Sequence, residues 1–456
     1  MQPILKRYKN VAVVGLTIAS LTLTGCAASA GKDGSGSAES RSLSCTNKIV
    51  NPDVEQVSVW AWYPEFESVV DEYNKNNDDV QICWNNAGVG ADEYTKLNTA
   101  LAAGSGAADV VMLEAAMLPS YTVQDSLVDL TPFGAEDIKK SFSPGAWADV
   151  STTEGVFAAP VDGGPMGMLY RSDIFKQYNV AVPTTWAEFA LSAQQLKDNG
   201  YPGFITNFPT NGRAYIQALF SQAGAVPYTV DPDDPSRIGI DLESPEVLQV
   251  LNYWNDLIER GLVSHNDRNT SDDNARMLDG TYASYIAPAW GPGYLTGLAD
   301  PGAVTEWRAV PLPQWDANKP VQVNWGGSTF AVTNQAPNPE LSAKVAMEIF
   351  GSEATWKIGI EKGALFPLWS PMLESDYFRD LEYPFFGGQQ INEDVFIDAA
   401  ASYEGFTNLP FLSLIYDTTT EGLYAMAEGT QTPEETLTSL QKTFVDYAEN
   451  QGFTVN

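Results

Sequence analysis

The stretch VSVWAWYPEFESVVDEY, residues 57 to 73, decides the fold. Val57 to Trp62 is rich in β-branched and aromatic residues and reads as a strand. Pro64 and Glu65 turn the chain. Phe66, Val69, Val70 and Tyr73 then recur at i, i+3, i+4 and i+7, the stripe of an amphipathic helix. The alternation continues outward from there. Val80 to Trp84 reads as a second strand, Tyr94, Leu97 and Leu101 as a second helical stripe stopped by Gly104, and Asp109 to Leu113 as a buried third strand. This β-α-β-α-β order predicts a parallel sheet with helices on both faces. Ligands of open α/β sheets bind outside the carboxyl ends of the strands. Trp62 and Tyr63, with Glu65 in the same turn, fall just past the first strand, and Glu114 just past the third. They read as half of a pocket; the rival reading has the two rings capping the core.

Further along, Thr185 and Glu188 form a capping box ahead of Trp186, Phe189, Ala190, Ala193 and Leu196, which share one helical face ending at Gly200. A second α/β body follows, with Gly203 to Thr206 as a strand. Asn338-Pro339 opens another helix that closes near Gly351, with Leu341, Val345 and Ile349 on its buried side. There is no internal repeat.

Composition narrows the function classes. Hydrophobic residues make up 44% and charged residues 18%, an ordinary globular balance. The net charge of −33 argues against nucleic acid, since little is present to neutralise phosphates, and against binding anionic lipid through a basic face. It reads as a solubilising acidic surface. The single histidine, His265, rules out a histidine-rich zinc site, and nothing in the motif Ser264-His265-Asn266 suggests the nucleophile of a serine–histidine triad; it reads as a surface or helix-end residue. The acidic loop Asp231 to Asp234 lacks the spacing of a calcium loop and reads as solvated. No cofactor or metal is expected.

Lys6, Arg7 and Lys9 precede an apolar segment, Val11 to Leu23, of about thirteen residues, too short to span a bilayer. Residues 1–25 therefore read as a secretory signal peptide. The segment ends in Leu23-Thr24-Gly25-Cys26, which resembles a bacterial lipobox, where the cysteine becomes the lipid anchor; the rival is an ordinary signal peptide with an incidental cysteine. Residues 26–44 are built from Ala, Gly, Ser and a few charges and read as a flexible tether. These features place the folded body outside the cytoplasm, held at the cell membrane as a lipoprotein. Cys45 and Cys83 remain. In an oxidising compartment an even remainder suggests one disulfide, with geometry left to decide between a bond and two thiols.

Several blocks now resemble, in order, the family 1 extracellular solute-binding proteins that feed ABC-type carbohydrate importers. Asp109-Val110-Val111-Met112-Leu113-Glu114 with Leu127-Val128-Asp129-Leu130-Thr131 is similar to one family block. Gly155 to Asp162, then Leu169 to Asp173 and Pro183-Thr184-Thr185-Trp186, is similar to its most recognisable signature. Gly280-Thr281-Tyr282-Ala283 with Trp290, and Asn324-Trp325-Gly326-Gly327-Ser328, resemble two further elements. The resemblance implies a periplasmic-binding-protein-like clamp of two α/β lobes, residues 45–162 plus 327–367 and residues 163–326 plus 368–456. Three hinge crossings are expected, near Asp162, near Asn324 to Ser328 and near Phe366 to Ser370. It also implies permease subunits as partners, with no nucleic acid, and a monomer.

The residues argue for sugar on their own terms. A sugar presents apolar C–H faces, which aromatic planes cover, and a belt of hydroxyls, which carboxylates, amides and Arg satisfy. The chain holds 12 Trp, 20 Tyr and 20 Phe, several of them in Gly/Pro loops. Trp290, in Ala287-Pro288-Ala289-Trp290-Gly291-Pro292-Gly293-Tyr294, is denied a helix or central strand by its neighbours and reads as displayed on a loop, the rival being a ring folded onto the core. Asp162 could accept two hydroxyls or stabilise the Gly-Gly turn that follows it. Asn207, Asn211, Arg213 and Tyr215 form a polar and aromatic cluster where the family often places contacts. Asn324, Trp325 and Gly326 lie at the second crossing, Phe366 and Trp369 at the third. The expected function is capture of a mono- or short oligosaccharide and delivery to a permease, without covalent chemistry. The alternatives are a binding protein for a cationic solute such as a polyamine, which the acidic balance suits, and a membrane-anchored glycoside hydrolase using two carboxylates.

Overall fold

The computed structural model describes residues 43–456. The signal peptide, Cys26 and nearly all of the tether lie outside the described residues.

The opening alternation folds as β1 (Glu55–Trp60), α1 (Phe66–Asn76), β2 (Val80–Asn85), α2 (Ala91–Ala103) and β3 (Val110–Glu114). Phe66, Val69, Val70 and Tyr73 are all buried on the inner face of α1. Burying such side chains stabilises the fold by about 1.5–3 kcal/mol each. Gly104 ends α2 in the left-handed region, φ 71°, its N–H capping the Ala100 and Leu101 carbonyls. β1 lies between β2 and β3 and pairs parallel with both.

The parallel pairing expected of the first three strands holds, while the strands that follow them in the sheet pair antiparallel. Strand Asn324–Val332 returns from the second body and enters beside β3 antiparallel, with Ser328 opposite Glu114. Next comes the 13-residue strand Ala159–Arg171, antiparallel again. Its first part pairs with Asn324–Val332, and its second part with Ser284–Pro288 and Trp307–Pro311. A segment that runs from one body into the other and back meets itself head to tail, so the joining strands must be antiparallel. One strand thus threads both halves of a mixed α/β molecule.

Around Asp162 three segments lie side by side. Ser328 and Pro367 are both bridge partners of Asp162. Gly163 N–H donates to the Phe366 carbonyl at 3.0 Å and Leu368 N–H to the Val161 carbonyl at 2.9 Å. Asp162 Oδ1 also accepts from Tyr63 Oη at 2.6 Å and from Ser328 N–H at 3.1 Å. Burial pushes this carboxyl up to about 6, against the pull of those donors.

Cys45 and Cys83 are joined by a disulfide. Asn47 Oδ1 accepts from Trp84 N–H at 2.7 Å, so the segment ahead of β1 is stitched to β2 at adjacent positions. In the second body, helix Trp186–Asp198 opens on the expected capping box, with Thr185 Oγ1 accepting from Glu188 N–H. Helix Pro339–Glu348 is capped by Asn338 and buries Val345, with Ile349 just beyond it. The strand expected from Gly203 begins later, at Thr206–Phe208, beside Val263–His265. His265 is exposed there, its Nε2 3.3 Å from Glu428 Oε1. Trp186, Trp254, Trp307 and Trp356 are fully buried. Much of the tryptophan content therefore packs cores and does not face ligand.

Candidate functional site

Glu114 closes β3, the place where the sheet argument puts a ligand. Tyr94, early in α2, reaches across to it: Tyr94 Oη donates to Glu114 Oε2 at 3.0 Å, and Glu114 N–H donates to Tyr94 Oη at 3.2 Å. Trp62 meets the Tyr94 ring edge-on at 5.8 Å. These three residues make one wall. Burial raises the Glu114 carboxyl above its ordinary value, opposed by the Tyr94 hydroxyl and by the Arg213 charge. The opposite wall comes from helix Arg213–Gln222, whose Ala214, Gln217 and Ser221 line the same cavity as Glu114.

That wall begins at Arg213, the first residue of helix Arg213–Gln222. Its guanidinium lies 4.7 Å from the centre of the Tyr416 ring, which helix Leu412–Ala427 supplies. The strand Asn324–Val332 forms the floor. Trp290 stands edge-on to Trp325 at 5.5 Å, and its Nε1–H donates to the Trp325 carbonyl at 3.3 Å. Trp290 and Trp325 are both half-buried. Gly326 has φ 78°, a conformation that favours glycine, and the nearest atom to a Cβ placed there is Trp290 Nε1.

Between these walls lies a cavity of about 470 Å³, lined among others by Glu114, Asn324, Gly326, Tyr228 and Tyr416. Asn324 Oδ1 is buried and has no hydrogen-bond partner among the described residues. A buried carbonyl oxygen left unpaired costs about 1–3 kcal/mol, which a ligand hydroxyl would recover. Asp149 also lines the cavity, its Oδ1 accepting from Tyr403 Oη at 3.3 Å and Phe406 N–H at 3.2 Å. Burial pushes the Asp149 carboxyl up to about 7. A larger cavity of about 840 Å³ lies elsewhere, between the segment around Phe133 and the helix Pro339–Glu348. Trp369 lines that second cavity, away from Glu114.

Several of the expected contact residues are engaged in packing or hydrogen bonds within the protein. Tyr63 is 5% exposed, packed against Phe66, Phe330 and Phe350, and its hydroxyl is committed to Asp162. Asp162, in turn, ties the crossing segments together. Asn207 is fully buried and accepts from Arg268 Nε–H at 2.9 Å. Asn211 is half-buried and clamps the Arg268 backbone, accepting its N–H at 3.0 Å and donating to its carbonyl at 3.2 Å. Tyr215 is fully buried beneath Trp325, 5.5 Å away. Arg268, itself buried, lies 3.9 Å from the Tyr285 ring centre, 4.9 Å from that of Tyr215 and 5.4 Å from that of Trp325, so it supports the aromatic floor from below. Phe366 packs on Phe378 and Phe396. Glu65 is exposed in the left-handed turn ahead of α1. The structure gathers Glu114, Asn324 and Gly326 at one cavity, with Trp62 against Tyr94, the hydroxyl partner of Glu114, Arg213 over Tyr416, and Trp290 against Trp325. It adds Tyr94, Asp149, Tyr228, Tyr403, Phe406 and Tyr416, which sequence reading did not single out as site residues. The signal for part of this set was present: Tyr403-Glu404-Gly405-Phe406 is an aromatic and glycine loop of the same kind as the one around Trp290.

Among the described residues no group of His, Cys, Asp and Glu is arranged to hold a metal ion, and no helix is long and apolar enough to cross a membrane.

Residues 61–355, more than half of the chain, match the family described as bacterial extracellular solute-binding protein. The chain is 23% identical over 362 residues to the arabinooligosaccharide-binding protein of Halalkalibacterium halodurans, covering 77% of this chain and 79% of that one. It is 23% identical over 377 residues to the lactose-binding protein of Rhizobium radiobacter, covering 77% and 85%. Among solved structures, the ABC transporter associated binding protein of B. animalis subsp. lactis in complex with beta-1,6-galactobiose superposes with a TM-score of 0.77 at 28% identity, over 89% of this chain and 100% of that one. The galacto-N-biose-/lacto-N-biose I-binding protein of Bifidobacterium longum gives 0.77 at 22% identity, over 88% and 99%, a likeness of fold. The architecture is the two-lobed α/β form of these binding proteins. A fold built on shared crossing strands, a cavity walled from both sides and the family match lead to one conclusion: the chain is a member of the bacterial extracellular solute-binding protein family.

Proposed function

We propose that this protein captures a short oligosaccharide between two lobes and delivers it to the permease of an ABC importer. The observation that carries the reading is the cavity of about 470 Å³, where an unpaired Asn324 carbonyl oxygen, the Glu114 carboxylate and aromatic rings converge from segments far apart in the chain. That volume lies within the usual range of small-molecule sites. The relatives named for arabino-oligosaccharide and lactose, and the structure bound to beta-1,6-galactobiose, support the same ligand class. The lobes divide as residues 45–162 plus 327–367 and 163–326 plus 368–456, with the three segments joined at Asp162 as the hinge. Contact with both lobes is what makes ligand favour closure, since a ligand shifts a conformational equilibrium only by its differential affinity for the two states.

A cationic solute fits less well. Arg213 covers the Tyr416 ring, which lines the cavity, so a cation entering there meets a charge of its own sign beside it. The site carries out binding without bond cleavage; release of shorter products from an incubated oligosaccharide would show a hydrolase instead. Cys26 carries the lipid that anchors the chain outside the cytoplasm, and Cys26→Ser releases the protein from the membrane fraction. Calorimetric titration with beta-1,6-galactobiose, lactose and arabino-oligosaccharides tests the ligand class. Saturable heat with one of them is expected; no heat with any, in folded protein, overturns it.

A further inference from the structure

Besides the crossings at Asp162, segments of the two proposed lobes meet along a second seam. The helix Pro144–Ala148, Asp149 and the hairpin at Thr153 belong to the first lobe of the proposed division; the hairpin at Pro232 and the loop Tyr403–Phe406 belong to the second. The approach is close. A Cβ at Gly145 would sit 2.2 Å from the Tyr403 carbonyl oxygen, so only glycine lets the two backbones meet there. Gly405 packs against Ala148 and Asp149, and Thr153 Oγ1 donates to the Pro232 carbonyl at 3.2 Å. At the centre of the seam Asp149 accepts from Tyr403 Oη and Phe406 N–H. These groups also border the ligand cavity.

Resting on the two-lobe capture reading, we propose that Asp149 is a positioning residue, the clasp that holds the two lobes shut by accepting both hydrogen bonds from the Tyr403–Phe406 loop. It is the one side chain in the seam that bonds the opposite segment twice, through a side-chain donor and a backbone donor. The clasp brings with it a proton dependence. The titratable groups on the packed elements are Tyr403 and Glu404 on the loop, Tyr228 beneath Phe406, Glu154 beside Thr153, Asp231, Asp233, Asp234 and Arg237 on the hairpin around Pro232, and Lys139 over Trp147. Burial outweighs the two hydrogen bonds and holds the shut-state carboxyl at about 7, far above the ordinary 3.8 that an open, solvated Asp149 would have. Closure therefore takes up a proton, and the shut state gains as pH falls from about 7 towards the open-state value. From pH 8 to pH 6 the closure constant should rise about tenfold.

The test places paired spin labels at exposed Lys140→Cys and Asp241→Cys, on either side of the seam, in the chain carrying Cys26→Ser. Pulsed dipolar distances are read from pH 5 to pH 9, without sugar and with beta-1,6-galactobiose, lactose and arabino-oligosaccharides. The parent should show a short-distance population that grows about tenfold relative to the open one between pH 8 and pH 6. Asp149→Asn keeps the acceptor oxygen without the charge and should stay shut with a flat pH profile. Asp149→Ala should lose most of the short-distance population at every pH, with circular dichroism showing that it remains folded. Equal distributions in parent, Asn and Ala variants overturn the clasp, as does the absence of any short-distance population under all conditions. Failure of the sugar reading looks different: no sugar gives heat or moves the distances, while the Asp149 dependence of the unliganded distribution persists.

Discussion

At the scale of single residues, burial decides what a polar group does. Glu93 sits in the first turn of α2, fully buried, and neither carboxylate oxygen has a hydrogen-bond partner among the described residues. Desolvation pushes its pKa up to about 8 from 4.5, with the Lys96 charge opposing. The folded state therefore keeps a proton that the unfolded chain loses above about 4.5. Stability from this group is full below that value and falls as pH rises towards 8, by at most about 1.4 kcal/mol per unit. Glu93→Gln should remove one proton's worth of slope from urea unfolding measured between pH 5.5 and pH 8; an unchanged slope would refute the assignment. Trp290 shows the complementary case of a ring left half-open. Trp290→Ala should weaken sugar binding about tenfold by calorimetry while the melting temperature holds, in line with the worth of an aromatic face beyond its area. Both residues differ in how far their neighbours betray them. Trp290 sits in the tight turn between strand Ser284–Pro288 and helix Gly291–Leu298, although its Pro and Gly neighbours read as a loop, and nothing near Tyr63 reveals that its ring turns inward to Phe330 and Phe350.

At the scale of elements, local rules were legible wherever a motif is satisfied within a few residues. The box of Thr185 and Glu188 is one such case: each side chain bonds the other's backbone N–H, so the helix start is written in four positions. Thr185→Ala should cost about 1 kcal/mol in thermal unfolding, with Thr185→Ser recovering most of it, and leave sugar affinity unchanged. A larger effect on affinity than on stability would mean that this helix communicates with the cleft. The short strand Thr206–Phe208 illustrates the opposite. Its parallel partner, Val263–His265, lies more than fifty residues away, and the pairing shifts the strand past Gly203. Asn207 within it looks like a free amide in sequence, yet it is taken up by Arg268.

At the scale of the whole molecule, close backbone contact at the crossings couples the lobes. Gly164 lies in the strand shared by both, and a Cβ there would stand 2.0 Å from the Trp325 carbonyl oxygen. Gly164→Ala must push the two crossing strands apart, costing about 1–3 kcal/mol by overpacking. It should also displace Trp325 and Trp290, so sugar affinity falls with stability in paired calorimetry and chemical unfolding. Intact affinity in the alanine variant would show that the crossing tolerates the displacement without moving the aromatic floor.

Periodicity and punctuation in the sequence determined the first three strands, the helices between them, and the caps at Thr185 and Asn338, because each depends on residues a few positions apart. The sequence also placed Glu114 at a strand end, where an open sheet admits ligand. Tertiary structure alone decided that Tyr63, Asn207, Tyr215 and Phe366 are interior, that the sheet becomes antiparallel, and that Tyr416 and the Tyr403–Phe406 loop complete a cavity begun at Glu114. The reason is physical: side-chain periodicity reports which face is apolar, while the partner that face meets is chosen by packing between segments hundreds of residues apart.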